Sequence, residues 1–335
     1  GHNIAGPDGR RAFRKGKPLT AENIGRLREL GRETIYVAEL EAGDTDEDAA
    51  AKRIATAGMG DNLYLSKAIT GRANIHADKL GIFRIDEERL MQVNMCEAVT
   101  LGTLPNHSVV SPRKMVATIK IIAYAIPDTV VREAEVLSRQ VTMNNEQSRP
   151  IMRVDELPER KVGLILSGSP SAKEKVVSSF ERALRPRLEM WGSKLVDVGF
   201  VPLEDEHGEQ ELAQLIDAYV KQKRLDMVLL AGETAIMDRH DIAPRAVERA
   251  GGRITCFGAP VDPGNLLMLA RHGEVPIVGA PGCSRSPKLN IVDLVIPRLL
   301  AGDYLTKMDI VRLGHGGMIE DVAERPLPRK KITSR

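Results

Sequence analysis

The chain has 335 residues, with 48 Lys plus Arg against 46 Asp plus Glu, a formal net charge of +2 at pH 7. This balance argues against an electrostatic nucleic-acid binder, which needs a concentrated basic face. Only 3% of residues are aromatic, so stacked single-strand binding is disfavoured, and Val, Ile, Leu, Ala and Met must build the core.

Gly1-His2-Asn3-Ile4 shows neither a charged n-region nor an apolar h-region, and no apolar run approaches the ~20 residues of a membrane span. The expectation is a cytoplasmic protein without a membrane partner. Cys96, Cys256 and Cys283 are too few and too far apart for a disulfide framework or a zinc-type pair. The length suggests about two domains of ~150 residues each.

In chain order, Leu19 to Ile24 reads as a helix start, with Thr20 as cap and Asn23 standing weakly for the capping-box acid. Val116 to Ile126 is rich in β-branched residues between Pro112 and Pro127, which favours strands. Residues 1–150 therefore read as a mixed α+β module. A linker is expected over 143–160, where polar residues and Pro150 precede the charged Asp155-Glu156-Leu157-Pro158-Glu159-Arg160.

A regular alternation follows. Lys161 to Leu166 fits a buried strand, and Ser167 to Ser171 supplies turn and cap chemistry. Val177, Phe180, Leu184, Leu188 and Trp191 form one helical face, with a kink or break expected at Pro186. Lys194 to Phe200 is the next strand, and Leu212, Leu215, Ile216, Tyr219 and Val220 mark another helix. Asp226 to Leu230 reads as a strand, Ile242 to Ala250 as a helix, Gly252 to Phe257 and Val275 to Gly279 as strands, and Asn290 to Leu300 as a closing helix. The fold class expected for 158–305 is α/β: three layers, a mostly parallel sheet with helices on both faces. Residues 306–335 form a C-terminal extension, and Glu324 to Arg335, basic and proline-containing, read as disordered.

Ligands of such sheets sit at the carboxyl ends of the strands, so the chemistry is sought in those loops. Ala231, Gly232, Glu233 and Thr234 leave a buried strand on small residues, which let a ligand approach the backbone. Asp238 and Asp241 then precede a helix. They suit a Mg²⁺ held by one or two carboxylates, or equally a capping Asp241 beside a solvated Asp238. Pro281, Gly282, Ser284, Arg285, Ser286 and Lys288 combine backbone amides, hydroxyls and cations into a plausible phosphate cradle. Cys283 has no histidine nearby in sequence and reads as structural. Asp205, within an acidic run before a helix, is explained by the helix's positive end unless a second feature adds a metal. Gly314-His315-Gly316-Gly317 lies after the sheet and is no dinucleotide fingerprint, and the seven histidines show no ligand spacing.

These loops, in this order, resemble the molybdopterin-binding domain of molybdenum-cofactor biosynthesis proteins. Leu230-Ala231-Gly232 with Asp241-Ile242-Ala243-Pro244-Arg245-Ala246 is similar to the family's Gly-Gly turn and Asp-x-x-Pro-x-Ala. Gly258 to Asn265 and Gly279-Ala280-Pro281-Gly282 extend the likeness over about 160–303. Lys15 to Thr20, Thr70 to Asn74 and Met115 to Ile122 resemble a subgroup that often carries a nucleotidyltransferase domain, whose signature is missing here. Departures are Ala231 for the first glycine, Glu233 where Thr or Ser is usual, and Cys283 to Ser286 for Asn-Pro-Val-Ser.

The resemblance implies a pyranopterin phosphate meeting loop 282–288, Mg²⁺ gathered by Asp205, Asp238 and Asp241, and ATP as a candidate nucleotide donor. Asp205 and Asp241 would be the metal ligands. A homo-oligomer, and contact with other proteins of cofactor biosynthesis, are implied in the same way. The activity would be nucleotidyl transfer to molybdopterin or molybdenum insertion, a transferase reaction. The rival is a carrier that binds or presents the pterin without chemistry, which Ala231 and Glu233 favour. A third reading is an unrelated doubly wound sugar or nucleotide binder.

Overall fold

A computed structural model describes residues 3–13, 16, 18–141, 148–203 and 207–319. The chain divides into two compact units, Gly1–Asp155 and Glu156–Arg335. Glu324 to Arg335 and Glu204 to Glu206 lie outside the described residues.

In the N-terminal unit, Ala21–Glu29 is a helix whose start is the expected one. Thr20 Oγ1 accepts the Asn23 amide at 3.3 Å, and Asn23 Oδ1 accepts the Thr20 amide at 3.3 Å, closing a capping box. Helix Glu47–Gly58 buries Ala50, Ala51, Ile54 and Ala55 within one core with Ile75, Ile119 and Ile121. Those isoleucines belong to an antiparallel sheet ordered Leu63–Leu65, Arg72–Ala77, Met115–Ile121 and Val99–Thr103. The β-branched run thus forms strands, with Ala125–Pro127 as a second short one.

The polar stretch expected as a linker differs. Ser148–Pro150 and Met152–Glu156 are strands, and Ile151, Met152 and Val154 are buried. The Gly60 amide donates to Met152 O at 2.8 Å, and Val154 N donates to Asp61 O at 3.0 Å. Ile151, Met152 and Val154 join the N-terminal core, and the boundary between the units falls just after them, at Asp155/Glu156, within the expected stretch.

The second unit runs β1 (Lys161–Gly168), α1 (Lys173–Met190), β2 (Lys194–Pro202), α2 (His207–Asp217), β3 (Met227–Gly232), α3 (Ile242–Arg249), β4 (Arg253–Phe257), β5 (Met268–His272), β6 (Val275–Gly279), α4 (Ile291–Leu300) and α5 (Lys307–Val311). Six strands form one sheet in the order β2-β1-β3-β6-β5-β4. β1 pairs in parallel with β2 and β3, and β3 with β6, whereas β5 runs antiparallel to both its neighbours. The sequence reading omitted β5. It folds because Leu267 to Ala270 is apolar and Gly273, at φ +58°, turns the chain back into β6.

Ile165, Val228, Leu230 and Ile277 pack with Leu212 and Ile216 of α2 and Ala246 and Val247 of α3. The alternate residues Leu164, Leu166 and Leu229 are buried on the opposite face, where α1 lies along β1 and β2. α1 continues through Pro186 as one helix, so the expected interruption there is not a break. The next residue, Arg187, donates from Nη1 back one turn to Ala183 O at 3.0 Å, while Leu184 and Leu188 hold the helix down through burial. α2 ends in a π-turn over Ala218–Gln222, which turns Tyr219 fully into the core and pushes its pKa up to about 12 through burial. The extension is described as far as Ile319: the Gly314–Gly317 cluster folds onto the β4–β5 loop, with Asp262 N donating to Gly317 O at 2.8 Å.

Two glycines make room for Tyr219. A Cβ at Gly163 would stand 2.5 Å from Tyr219 Cδ2, and one at Gly199 would stand 2.9 Å from Tyr219 Oη. Gly163→Ala is therefore expected to cost about 1–3 kcal/mol in urea unfolding, as overpacking does. Combined with Tyr219→Ala, Gly163→Ala should cost less than it does alone, with Leu225 Cδ1, 2.6 Å from the same Cβ, keeping part of the cost. An additive double variant would refute this packing.

Candidate functional site

The strand order reverses between β1 and β3, because β1 leads to β2 on one side and β3 returns to the other. Loops that leave adjacent parallel strands in opposite directions open a crevice at their carboxyl ends. Here the crevice is bordered by Ser169 after β1, residues 233–241 after β3 and residues 280–290 after β6. The segments singled out in the sequence between 231 and 288 therefore meet on one sheet edge.

The exits of β1 and β3 approach closely. A Cβ at Gly168 would lie 2.7 Å from Glu233 Cβ, and one at Gly232 would lie 3.0 Å from Ser167 Oγ. A side chain at Gly168 would collide with Glu233, and one at Gly232 would press on Ser167 and Thr234 by a few tenths of an ångström. Ala231 is a buried strand residue paired with Leu166. Glu233 bridges the two exits: its Oε2 accepts the Ser169 amide and the Ser169 hydroxyl, each at 2.8 Å. These bonds, the amide first, hold the Glu233 carboxyl below the usual carboxylate range, and Arg285 and Lys175 add to the effect. Thr234 is exposed beside it.

Loop 280–290 is built from within. The Ala280 amide donates to Leu230 O at 2.7 Å, pinning β6 to β3. Arg285 lies 4.7 Å over the Phe180 ring, and its Nη2 donates to Gly232 O at 2.6 Å and Glu233 O at 2.9 Å. The guanidinium expected to face an anion thus holds the β3 exit. Ser284 is fully buried, and neither its Oγ nor Arg285 Nε has a hydrogen-bond partner among the described residues. Ser286 Oγ accepts the Lys288 amide at 3.2 Å, while Gly282 and Lys288 are exposed and Pro281 is buried. Beneath the loop, Arg187 bonds Lys288 O and Asp293, both at 2.8 Å, and Asn290 Nδ2 donates to Lys288 O at 2.9 Å. Burial raises the Cys283 thiol, which agrees with a structural role.

Asp241 occupies the N-cap position of α3, but its side chain makes no cap bond. Its Oδ2 turns back to accept the amides of Met237 at 2.7 Å and Asp238 at 3.0 Å. Asp238 Oδ1 accepts the His240 amide at 2.7 Å. One oxygen of each carboxylate shapes the loop, so capping by Asp241 is corrected to loop closure. Asp205 lies outside the described residues. Among the described residues, no three His, Cys, Asp or Glu groups cluster as a metal site, and no helix is long and apolar enough to cross a membrane. Sequence reasoning missed Ser169 as the partner of Glu233; its signal was only a serine at a strand end.

The low-lying Glu233 carboxyl gives a signed expectation. Its bond to Ser169 is complete above the ordinary glutamate range near 4.3 and is lost as pH falls through the depressed folded value. The Ser169 amide shift, followed by NMR, should titrate below that range and lose the transition in Glu233→Gln. An ordinary midpoint would remove the bridge.

Residues 1–39 match a family described as a domain of unknown function, DUF8806. No curated protein matches the chain in sequence. Among solved structures, the chain is similar to the molybdopterin biosynthesis enzyme MoaB from Thermus thermophilus. That match has 16% identity and a TM-score of 0.30, over 43% of this chain and 98% of the other. It is also similar to a molybdenum cofactor biosynthesis protein B at 19% identity and a TM-score of 0.28, over 48% of this chain and 94% of that one.

Proposed function

We propose that the crevice binds molybdopterin and that the protein acts in molybdenum-cofactor biosynthesis. The observation that carries this reading is the convergence of the motif-bearing segments, Gly232 to Asp241 and Pro281 to Lys288, on the switch point of one parallel sheet. The phosphate would meet the exposed Gly282 backbone, the half-buried Ser286 and the exposed Lys288. The pterin body would lie along the small-residue turn after β3.

Mg²⁺ fits the donor set in a limited way. Asp238 and Asp241 each commit one oxygen to backbone amides and keep a second, which suits a cation held by one or two carboxylates plus a phosphate. Asp205 is the candidate third ligand. When bound, the ion would neutralise phosphate charge during nucleotidyl transfer or molybdenum insertion. Asp238 and Asp241 would orient it, and the bonds of Asp241 to Met237 and Asp238 would keep the loop from moving as charge develops.

A second reading is favoured by one contact. Glu233 occupies the Ser169 amide and hydroxyl, two donors that would otherwise face an anionic ligand. A carboxylate fixed there repels a second phosphate and suits a carrier that binds pterin without transferring a nucleotide.

Titration with molybdopterin, with and without Mg²⁺, tests binding, and ATP-dependent adenylylation tests transfer. Asp241→Asn keeps an acceptor for both loop amides, so unfolding should shift by no more than about 0.5 kcal/mol. Its Mg²⁺-dependent affinity should fall about tenfold, the loss of one charged ligand worth roughly 1.4 kcal/mol. Saturable binding without turnover selects the carrier, and absence of binding rejects both readings.

A further inference from the structure

A cavity of about 890 Å³ lies in the N-terminal unit, among helices Glu47–Gly58, Glu87–Met95 and Asp128–Ser138 and the strand that begins at Arg139. This is the size of a site for a small organic ligand. Ala49, Ala57, Val136 and Leu137 give it apolar walls. Its charged lining is Lys52, Arg53, Arg89, Arg139 and a single acid, Glu135.

Glu135 does not neutralise that lining evenly. It is held by Arg53, which donates to Glu135 Oε1 at 2.9 Å and Oε2 at 2.7 Å and also pairs with Asp128. Lys52, Arg89 and Arg139 remain as positive charge. Lys52 and Arg139 are exposed, whereas Arg89 is only 7% exposed. Arg89 Nε donates to Leu137 O at 3.0 Å, and Nη2 donates to Ser138 O at 2.8 Å and Arg149 O at 3.0 Å. Its Nη1 has no hydrogen-bond partner among the described residues, and the nearest carboxylate oxygen, Asp86 Oδ2, stands at 3.8 Å. A buried guanidinium with an unused N–H is costly to leave unpaired. Burial accordingly lowers the Arg89 pKa, yet an arginine keeps its charge.

We propose that this cavity binds a small organic anion, with an apolar body against Ala57, Val136 and Leu137 and a phosphate or carboxylate head among Lys52, Arg89 and Arg139. Helix packing alone explains the three carbonyl bonds of Arg89. It does not explain why its fourth donor, and two further cations, gather on an apolar cavity with one already paired acid. The inference is independent of the molybdopterin site.

The probe is anilinonaphthalene sulfonate, titrated by fluorescence into the full chain, beside its neutral counterpart phenylnaphthylamine. Saturable binding of the sulfonate, much tighter than that of the amine, is expected. Competition by phenyl phosphate against benzoate identifies the preferred head group. Lys52→Gln and Arg139→Gln, exposed side chains, should each weaken the sulfonate about ten- to a hundredfold, the worth of a charge-assisted hydrogen bond. Thr56→Trp should fill the cavity and abolish binding. If that variant fails to fold by circular dichroism, the two glutamine variants decide. Unchanged affinity in both glutamine variants, equal affinity for the neutral probe, or no saturable binding would overturn the proposal.

Discussion

Arg285 joins the exits of β3 and β6 by donating to the backbone carbonyls of Gly232 and Glu233 while resting on Phe180. Its partners are main-chain atoms, so their chemistry does not depend on which residues occupy the β3 turn. The residue before it, Ser284, is wholly buried, and the loop behind it is braced by Arg187, Asp293 and Asn290. A guanidinium can serve in this way because its terminal Nη2 carries two N–H donors, one for each carbonyl, and its face stacks on an aromatic ring. Loss of Arg285 would leave two carbonyls at the switch point without their donor, and the crevice would lose one wall.

Against that brace stands a single carboxylate. Glu233 lies on the same turn as the carbonyls that Arg285 holds, and it reaches across to Ser169. The crevice therefore contains a fixed anion of its own, exposed to solvent yet kept ionised by an amide and a hydroxyl. Under the proposed reading, a phosphate at Gly282 to Lys288 would have Glu233 and Ser169 on the far side of the β3 exit, and the Glu233 carboxylate would disfavour a second phosphate there.

The two units organise charge differently. In the sheet unit, arginines brace loops: Arg187 bonds Lys288 O and Asp293, half-buried Arg285 bonds Gly232 O and Glu233 O, and Arg298 pairs with Asp303 at the end of α4. In the N-terminal unit Arg89 bonds the Leu137 and Ser138 carbonyls at the end of helix Asp128–Ser138 and the Arg149 carbonyl, and its Nη1 has no partner among the described residues. Arg285 Nε is also without a partner among the described residues, so it is the cavity beside Arg89, lined further by Lys52 and Arg139, on which the proposed anion site rests.

Local features of this chain were readable from residue order alone. The capping box at Thr20 depends on residues three apart, apolar runs such as Leu164 to Leu166 mark buried strands, and helical faces follow from spacing. The alternation of these elements implied the α/β layer and the edge where loops gather. Short-range chemistry could not show that Met152 and Val154 belong to the N-terminal core, because charged neighbours mask their alternation. Nor could it show that Pro186 is accommodated, or that Asp241 faces its own loop instead of its helix. The partners of Glu233 and Arg285 lie 64 and 52–53 residues away in sequence. Residue order determined the elements and the chemical types at the strand ends; only the tertiary structure decided which of those groups bond to one another, because strand order selects the neighbours across which a side chain can reach.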